Sequence, residues 1–324
     1  MTATLSPETI LKEMADLWVT LGKQGTAETG LGVLRACSMT LVVVAEEGED
    51  LAALGETIAA LMPEHPARAI IIRLQGGAGR ELTGRVFAQC WMPFGQRREI
   101  CCEQIEITAP DGSLDDVASV VAPIVAADLP VVVWCRSGRV AERSEFWEFA
   151  VTASKVVVDS DRWADPKAAI QRLAALASRG VMLGDFSWTR LTRWRDMVSQ
   201  VFQNGEYLAR LPEISHVRVH YDQASMAVMA RYMGAWLVDA LGQAGVQAAL
   251  SLEPGAANLS VELGGGGFRV ELARQGERLV TTVGTLSHCT GLTRPTDYQL
   301  LREELGIVRH DAVFERILAS AMRL

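Results

Sequence analysis

A cationic surface is the first feature that this sequence lacks. Its 324 residues include 31 Lys and Arg against 39 Asp and Glu, and the formal net charge is −8 at pH 7. The basic residues do not gather into a run. Because nonspecific nucleic-acid binding depends on Lys and Arg side chains that neutralise phosphates, no nucleic-acid partner is expected.

Long apolar runs are missing as well. Runs such as residues 129–134 are far shorter than the roughly 20 residues that a membrane-spanning helix requires. The first residues, MTATLSPETILKEMADLW, lack the basic start and the apolar core of a signal peptide. These absences predict a cytoplasmic protein that does not contact a membrane.

Cysteine pairs at C-x-x-C spacing are absent, which excludes the spacing of zinc ribbons and of thioredoxin-type motifs. The chain contains six cysteines: Cys37, Cys90, Cys101, Cys102, Cys135 and Cys289. Cys101 and Cys102 are adjacent on a predicted strand and should point to opposite faces. In a cytoplasmic protein we expect these cysteines to be reduced thiols, and a redox switch is the less favoured alternative.

Known catalytic and phosphate-binding motifs are also missing, including G-x-S-x-G, H-E-x-x-H and the P-loop. Two glycine-rich runs remain, at 76–79 and 264–267, and both are predicted to be turns between strands. No catalytic residue and no cofactor is predicted. The absence of a catalytic set favours a binding or regulatory role over an enzyme.

The first half of the chain alternates predicted strands with helices. β-Branched apolar runs occur at 41–46, 68–74, 129–135 and 155–159, and helical segments separate them. This order implies parallel crossover connections. Two further strands, at 84–92 and 99–108, are predicted to join near Pro93. A glycine- and threonine-rich connector is predicted at 22–32. We therefore predict an α/β N-terminal domain with a mixed sheet over residues 1–164.

The second half has a different pattern. After a strand at 213–221 and a long helix at 224–241, short strands are predicted at 246–252, 257–263, 267–273 and 278–285. The connections contain glycines typical of hairpins. Two helices, at 297–305 and 311–321, follow. These elements predict an α+β C-terminal domain with an antiparallel sheet over residues 165–324.

The segment GDFSWTRLTRWRDMVSQVF (184–202) is unusually rich in tryptophan and arginine. As a helix from about Thr189, it would place Leu191, Trp194, Val198, Val201 and Phe202 on one apolar side. Its polar side would carry Arg193, Asp196, Ser199, Gln200 and Gln203. One interpretation is an amphipathic helix anchored in the core by tryptophan. The other is a surface that holds a partner protein, because Trp and Arg dominate interface hot spots.

The sequence contains only weak indications of a metal site. His216 and His220 would share one face of a strand, but no third ligand accompanies them in the sequence. The acidic residues of the central region are Asp159, Asp161, Asp165 and Asp185. Helix capping and turns explain most of these carboxylates. We predict no metal site.

Several runs of the sequence resemble the glucose-6-phosphate dehydrogenase assembly protein family, OpcA. They are CSMTLVVVA (37–45), HPARAIII (65–72), LPVVVW (129–134), VVVDS (156–160) and above all DFSWTRLTRWRD (185–196). The segment MGAWLVDALG and the tail LLREELGIVRHDAVFERILA (300–319) are similar to the family too. The chain departs from the family at Arg193, where Pro is usual, and at Cys135, where many relatives have a second Trp.

The resemblance implies a non-catalytic cytoplasmic protein that binds glucose-6-phosphate dehydrogenase and promotes its active form. Such a protein would support the oxidative pentose phosphate pathway. The hypothesis for the partner contact is the Trp/Arg segment, with Trp188, Arg190, Arg193, Trp194 and Arg195. The alternative is a sugar-phosphate enzyme, or a ligand sensor, that acts without a dehydrogenase partner. If the protein is the enzyme, the α/β half would bind the sugar phosphate at the carboxyl ends of its strands. Self-association stays open.

Overall fold

The computed structural model describes residues 5–29, 33–76, 81–93 and 98–324. The chain divides into two units. Unit 1 comprises Met1–Val158 and Val181–Leu183, and unit 2 comprises Asp159–Gly180 and Gly184–Leu324. The domain limits 1–164 and 165–324 stay a prediction from the sequence.

Unit 1 is built on a mixed, mainly parallel sheet. The strands of this sheet are β1 (Leu34–Arg35), β2 (Met39–Glu46), β3 (Ala67–Gln75), β4 (Thr83–Trp91), β5 (Ile100–Pro110), β6 (Val131–Cys135), β7 (Lys155–Val158) and β8 (Leu183–Asp185), of which only Leu183 is assigned to unit 1. Their order is β1-β5-β3-β2-β6-β7-β8, and β4 pairs antiparallel with β5. β2 and β3 are parallel neighbours and almost entirely buried, as expected of β-branched strands covered on both faces. The predicted α/β architecture is confirmed.

The helices of unit 1 are α1 (Pro7–Thr29), α2 (Leu51–Leu61), α3 (Leu114–Val121), α4 (Gly138–Ala141) and α5 (Ser144–Ala150). The predicted connector at 22–32 is wrong for residues 22–29, which continue α1, and residues 30–32 lie outside the described part. Gly and Thr lower helix propensity without forbidding a helix. The predicted turn at 76–79 is described only at Gly76, and the predicted join beyond Pro93 also lies outside the described residues.

Cys90 and Cys101 form a disulfide, so the expectation of reduced thiols throughout is wrong. The two residues are direct partners across the antiparallel pair β4–β5, with Cα atoms 4.1 Å apart. Sequence spacing did not indicate this pairing because it depends on strand register. Cys37, Cys102, Cys135 and Cys289 form no disulfide among the described residues.

Unit 2 contains a second sheet with order β10-β9-β11-β12-β13-β14. Its strands are β9 (His216–Tyr221), β10 (Ala249–Pro254), β11 (Ser260–Gly265), β12 (Phe268–Gln275), β13 (Arg278–Val283) and β14 (Leu286–Gly291). All neighbours are antiparallel except β9 and β10, because the long helix between them returns the chain in the same direction. The α+β class is confirmed, with one parallel pair and a strand, β14, that the sequence did not indicate.

The helices of unit 2 are α6 (Pro166–Ala177), α7 (Phe186–Thr189), α8 (Thr192–Val201), α9 (Gly205–Ala209), α10 (Ala227–Gln243), α11 (Asp297–Gly306) and α12 (Ala312–Ala321). The glycine run between β11 and β12 is a hairpin turn as predicted. Gly266 and Gly267 have φ of 56° and 84°, the positive values that a two-residue hairpin requires. Within the described part of the chain, no helix is long and apolar enough to cross a membrane.

Candidate functional site

The Trp/Arg segment forms two helices rather than the one that was predicted. α7 ends at Thr189 and α8 begins at Thr192. Between them, the amide of Leu191 donates to the carbonyl of Trp188 at 3.0 Å, a tighter turn than an α-helix makes. Asp185 caps α7 by accepting from the amide of Ser187. The break orients Arg190 separately from the arginines of α8.

α8 has the two sides that the periodicity predicts. Its polar side, with Arg193, Asp196, Ser199, Gln200 and the following Gln203, is exposed. Its buried positions are Trp194, Met197 and Val198. Trp194 is only 3% exposed. Of the five residues proposed for the partner contact, Arg193 is therefore the exposed one.

Trp188 lies in an aromatic cluster of unit 2 and is 4% exposed. Its ring stacks on Phe314 at a centroid distance of 5.6 Å and meets Tyr232 edge-on at 6.2 Å. The indole nitrogen donates to Asp311 at 3.2 Å. Arg195 covers the other side, with its guanidinium carbon 3.5 Å from the ring centroid. Burial lowers the pKa of Arg195 to about 10, although nearby carboxylates oppose that effect.

Arg190 makes a two-pronged ion pair with Asp159, the residue that follows β7. Nη1 and Nη2 each donate to one carboxylate oxygen at 2.7 Å. Arg162 donates to the same carboxylate at 3.1 Å. Burial by itself would raise the pKa of Asp159, but the hydrogen bonds and charges of the two arginines hold it below its ordinary value. Asp159 is therefore a fixed negative charge.

A second carboxylate, that of Asp185, is completely buried. Its oxygens accept from the hydroxyl of Ser160 at 2.5 Å and from Tyr232 at 2.9 Å. Burial raises the pKa of Asp185 to about 6, against the opposing effect of the hydrogen bonds from Ser160. Burial likewise raises the pKa of Tyr232 well above its ordinary value.

Asp161 completes the group of carboxylates. It accepts from the amide of Val228 at the start of α10 at 3.3 Å. Burial raises the pKa of Asp161 to about 7, and the charges of Asp159 and Asp185 add to the shift. Paired carboxylates whose pKa values diverge in this way are a feature of functional sites, though structural networks show it too.

A cleft of about 590 Å³ in unit 2, called here the arginine cleft, opens beside these residues. Its charged lining residues are Asp159, Asp161, Arg162, Arg190, Arg274 and Arg294. Its apolar lining residues are Trp194, Met226, Met229 and Leu292. The volume and the mixture of apolar wall and convergent polar groups are typical of small-molecule sites.

Two of the four arginines have no acidic partner among the residues that the structure describes. Arg274 on β12 donates from Nε to the carbonyl of Gly276 at 2.9 Å. Arg294 is exposed in the loop between β14 and α11. Since Asp159 is neutralised by Arg190 and Arg162, the cleft has an excess of positive charge.

A smaller cavity of about 380 Å³ lies next to the cleft and shares Arg190 with it. The exposed side of α8 contributes Arg193 and Asp196 to its wall, and α11 contributes Gln299 and Glu303. The cavity therefore has charges of both signs. With two basic and two acidic side chains in its lining, the cavity has no excess charge that would select an anionic metabolite.

The histidines considered as metal ligands have carboxylate neighbours instead. His216 lies 3.2 Å from Glu262, and His220 lies 3.1 Å from Glu253. Of the acidic residues singled out in the sequence, Asp165 caps α6 and Asp185 caps α7, whereas Asp159 and Asp161 line the cleft. Sequence reasoning missed Arg274, Arg294 and Tyr232, because no local pattern marks them.

The fold defines a two-unit protein with an α/β and an α+β part, and the cleft makes it a candidate ligand-binding or regulatory protein. Two family profiles match it in succession. Residues 58–175 match the glucose-6-phosphate dehydrogenase subunit N-terminal domain, and residues 181–318 match the corresponding C-terminal domain. The chain belongs to the OpcA family, as the resemblance in the sequence implied.

Two curated cyanobacterial relatives are each described as a putative OxPP cycle protein OpcA. The protein from Nostoc punctiforme is 26% identical over 180 residues, which are 55% of this chain and 38% of the relative. The protein from Synechocystis is 25% identical over 203 residues, which are 62% of this chain and 42% of the relative. The matched region thus spans about two fifths of each relative.

Solved structures that match the chain include a biliverdin reductase from Synechocystis, with a TM-score of 0.45 and 13% identity. That match covers 88% of this chain and 97% of the reductase. A 3-ketoreductase from Actinomadura kijaniata in its open conformation matches with a TM-score of 0.47 and 11% identity. This match covers 88% of this chain and 96% of the ketoreductase.

Proposed function

We propose that this protein is a non-catalytic assembly factor that binds glucose-6-phosphate dehydrogenase in the cytoplasm and promotes its active form. It would thereby support the oxidative pentose phosphate pathway. The observation that carries the proposal is the pair of consecutive family matches over 58–175 and 181–318. An activator of this kind must bind the active form more tightly than the inactive form, because equal binding shifts no equilibrium.

The carboxyl ends of the parallel strands in unit 1 support a role without catalysis. In doubly wound sheets a dinucleotide binds where the strand order reverses, which here falls between β2 and β6. Ion pairs fill that position: Arg136 donates to Glu49 at 2.5 Å, and Arg139 lies 3.5 Å from Glu46. The loop after β2 also carries Glu47. At the start of α2 the carboxylate of Asp50 accepts from the amides of Ala52 and Ala53, the position that a pyrophosphate would otherwise take at a helix start.

Arg193 is the residue of the Trp/Arg segment that we propose for direct contact with the dehydrogenase. It is exposed on α8 beside Asp196 and the 380 Å³ cavity. The other four residues have partners inside unit 2: Trp188 is packed on Phe314, Trp194 is buried, Arg190 holds Asp159, and Arg195 covers Trp188. Their role in the contact would be to hold α8 in place.

The test is dehydrogenase activity against glucose 6-phosphate concentration, with the enzyme from the same organism, in the presence and absence of this protein. We expect a lower half-saturation concentration or a higher maximal rate, together with co-elution on a sizing column. A tenfold gain in substrate affinity corresponds to about 1.4 kcal/mol of coupling, within the usual range of allosteric effects. Unchanged kinetics without co-elution would contradict the proposal.

The contact is tested by Arg193→Glu, with Arg309→Glu as the matched control. Both side chains are exposed in unit 2, and both substitutions change the charge equally. We expect Arg193→Glu to weaken binding of the dehydrogenase at least tenfold, since a reversed charge at an interface repels the partner's carboxylates. The Arg309 variant should bind like the unmodified protein. Equal binding by both variants would place the contact elsewhere.

A second candidate is a sugar-phosphate enzyme or a ligand sensor that acts without a dehydrogenase. The observation in its favour is the arginine cleft, whose volume and charge suit a small anion. Turnover of a sugar phosphate by the isolated protein would identify the enzyme. A sensor would bind a small molecule and leave the dehydrogenase unaffected.

A further inference from the structure

We propose that the arginine cleft of unit 2 is a binding site for a small phosphorylated metabolite. The cleft measures about 590 Å³, within the range of roughly 300–1,000 Å³ that small-molecule sites occupy. The site goes beyond the proposed function and does not depend on it, because ligand binding is measurable without the dehydrogenase.

The charge of the cleft selects an anion. Arg190 and Arg162 both bind Asp159, and the two acidic lining residues, Asp159 and Asp161, offset at most the charges of these two arginines. Arg274 and Arg294 have no carboxylate within ion-pair distance in the described part of the chain, so their charges are uncompensated. A phosphate monoester carries about −1.5 to −2 charges at pH 7, which matches two such guanidinium groups.

The geometry favours phosphate over a simple carboxylate. The cationic side chains come from separate parts of unit 2: Arg190 follows α7, Arg274 lies on β12, and Arg294 lies in the loop before α11. Guanidinium groups approaching from different directions can each donate two hydrogen bonds to a tetrahedral phosphate. A carboxylate offers only two oxygens in one plane. Arg190 is held by Asp159, whereas Arg274 and Arg294 line the same cleft without a carboxylate partner among the described residues, and two such arginines fit one phosphate group.

The remaining lining can hold the rest of such a ligand. Trp194, Met226 and Met229 supply apolar wall, and Ser225, Asn258 and Thr293 supply groups that hydrogen-bond to hydroxyls. Sugar phosphates and nucleoside monophosphates share this combination of a phosphate with a hydroxylated skeleton. The common chemistry, a phosphate monoester on a small polyhydroxylated skeleton, is what the cleft recognises.

Calorimetric titration of the full chain tests the site with glucose 6-phosphate, adenosine monophosphate, glucose, inorganic phosphate and citrate as separate probes. We expect heat from at least one of the two phosphate esters and none from glucose, and the ester that binds more tightly identifies the ligand type. Citrate binding more tightly than both esters would overturn the assignment to phosphate. So would the absence of heat from both esters up to about 10 mM, where even millimolar affinity is measurable.

Substitutions of the lining arginines test whether the phosphate ester binds in the arginine cleft. Arg274→Ala with Arg294→Ala should weaken binding of the ester at least tenfold, whereas Arg274→Lys with Arg294→Lys should keep part of it. The matched control, Arg179→Ala with Arg309→Ala, removes two exposed arginines outside the cleft and should bind normally. Because Arg274 lies within a strand, Arg294→Ala alone provides a second test at an exposed loop position. Equal affinity in the cleft and control variants would refute the proposal.

Discussion

Arg190 and Asp159 are joined by two parallel hydrogen bonds of 2.7 Å, although 31 positions separate them in the chain. Asp159 is only 5% exposed, and Arg190 is the closest of its two cationic partners. A buried carboxylate that loses such a partner strongly destabilises the folded protein. The pair is thus a condition for the local fold of unit 2, and it also forms one wall of the arginine cleft.

Removing the arginine should destabilise the protein strongly. We expect Arg190→Ala to lower the free energy of unfolding by about 3–5 kcal/mol, because it leaves the buried charge of Asp159 largely uncompensated. Arg190→Lys keeps the charge but loses the two-pronged geometry, so it should cost less. Chemical denaturation measures both. In a double-mutant cycle, Asp159→Asn should recover part of the loss, and simple additivity of the two substitutions would contradict the coupling.

The raised pKa of Asp161, about 7, predicts a specific pH dependence. A carboxyl group whose pKa is higher in the folded than in the unfolded protein stabilises the folded state at low pH, and this stability is lost as pH rises from the unfolded value through the folded one. Asp185, with a pKa of about 6, acts in the same direction. Asp159, whose pKa is lowered, has the opposite effect, because its contribution to the stability of the folded protein is lost as the solution becomes acidic.

Asp161→Asn should remove the loss of stability that the titration of Asp161 causes as pH rises. The amide oxygen can still accept from the amide of Val228, and no proton is needed for neutrality. We expect the Tm of the variant to fall less than that of the unmodified protein between about pH 5 and about pH 8. Asp165→Asn, at the exposed cap of α6, is the control for the exchange of Asp for Asn itself. Parallel Tm curves for Asp161→Asn and the unmodified protein would refute the assignment.

Trp188 is predicted to contribute to stability rather than to binding directly. Trp188→Ala removes the stacking on Phe314, the contact with Tyr232 and the hydrogen bond to Asp311, and it should cost about 3–5 kcal/mol. Trp188→Phe keeps an aromatic ring and should cost less. Arg193→Ala, on the exposed side of α8, should change stability by about 0.5 kcal/mol or less. Thermal unfolding distinguishes these variants, and a neutral Trp188→Ala would show that the cluster is dispensable.

The disulfide predicts a defined labelling pattern. In the unfolded, non-reduced chain a maleimide should label four cysteines, Cys37, Cys102, Cys135 and Cys289, and after reduction it should label six. In the folded protein Cys289 should react first, because it is exposed while Cys102 and Cys135 are buried. Burial also raises the pKa of Cys102 to about 11, which further slows its reaction. Labelling of six residues before reduction would show that the bond is absent.

Removing the disulfide should weaken the attachment of β4 to the sheet of unit 1. Cys90→Ser with Cys101→Ser opens a link between residues 11 positions apart, and loop-closure entropy predicts a loss of about 2–3 kcal/mol. Cys37→Ser with Cys289→Ser is the control, since neither cysteine takes part in a disulfide. Equal stability of the two double variants would contradict the prediction. Denaturant unfolding measures the difference.

Much of the architecture follows from local sequence patterns. The β-branched runs separated by helical segments correctly indicated the α/β part, and glycines with positive φ at Gly266 and Gly267 form the expected hairpin. The two sides of α8 were also predicted correctly, because a 3.6-residue period determines which side chains share a face. Boundaries were less accurate, as at α1, since end positions depend on weak propensities.

The sequence by itself determined the fold classes of the two halves, the polar and apolar sides of α8 and the family of the chain. Tertiary structure alone decided that Cys90 bonds to Cys101, that Asp159 meets Arg190, and that Arg274 and Arg294 line the same cleft. The physical reason is that dihedral preferences and side-chain periodicity act over a few residues. Strand register and chain crossings, by contrast, bring together residues whose separation in sequence carries no signal.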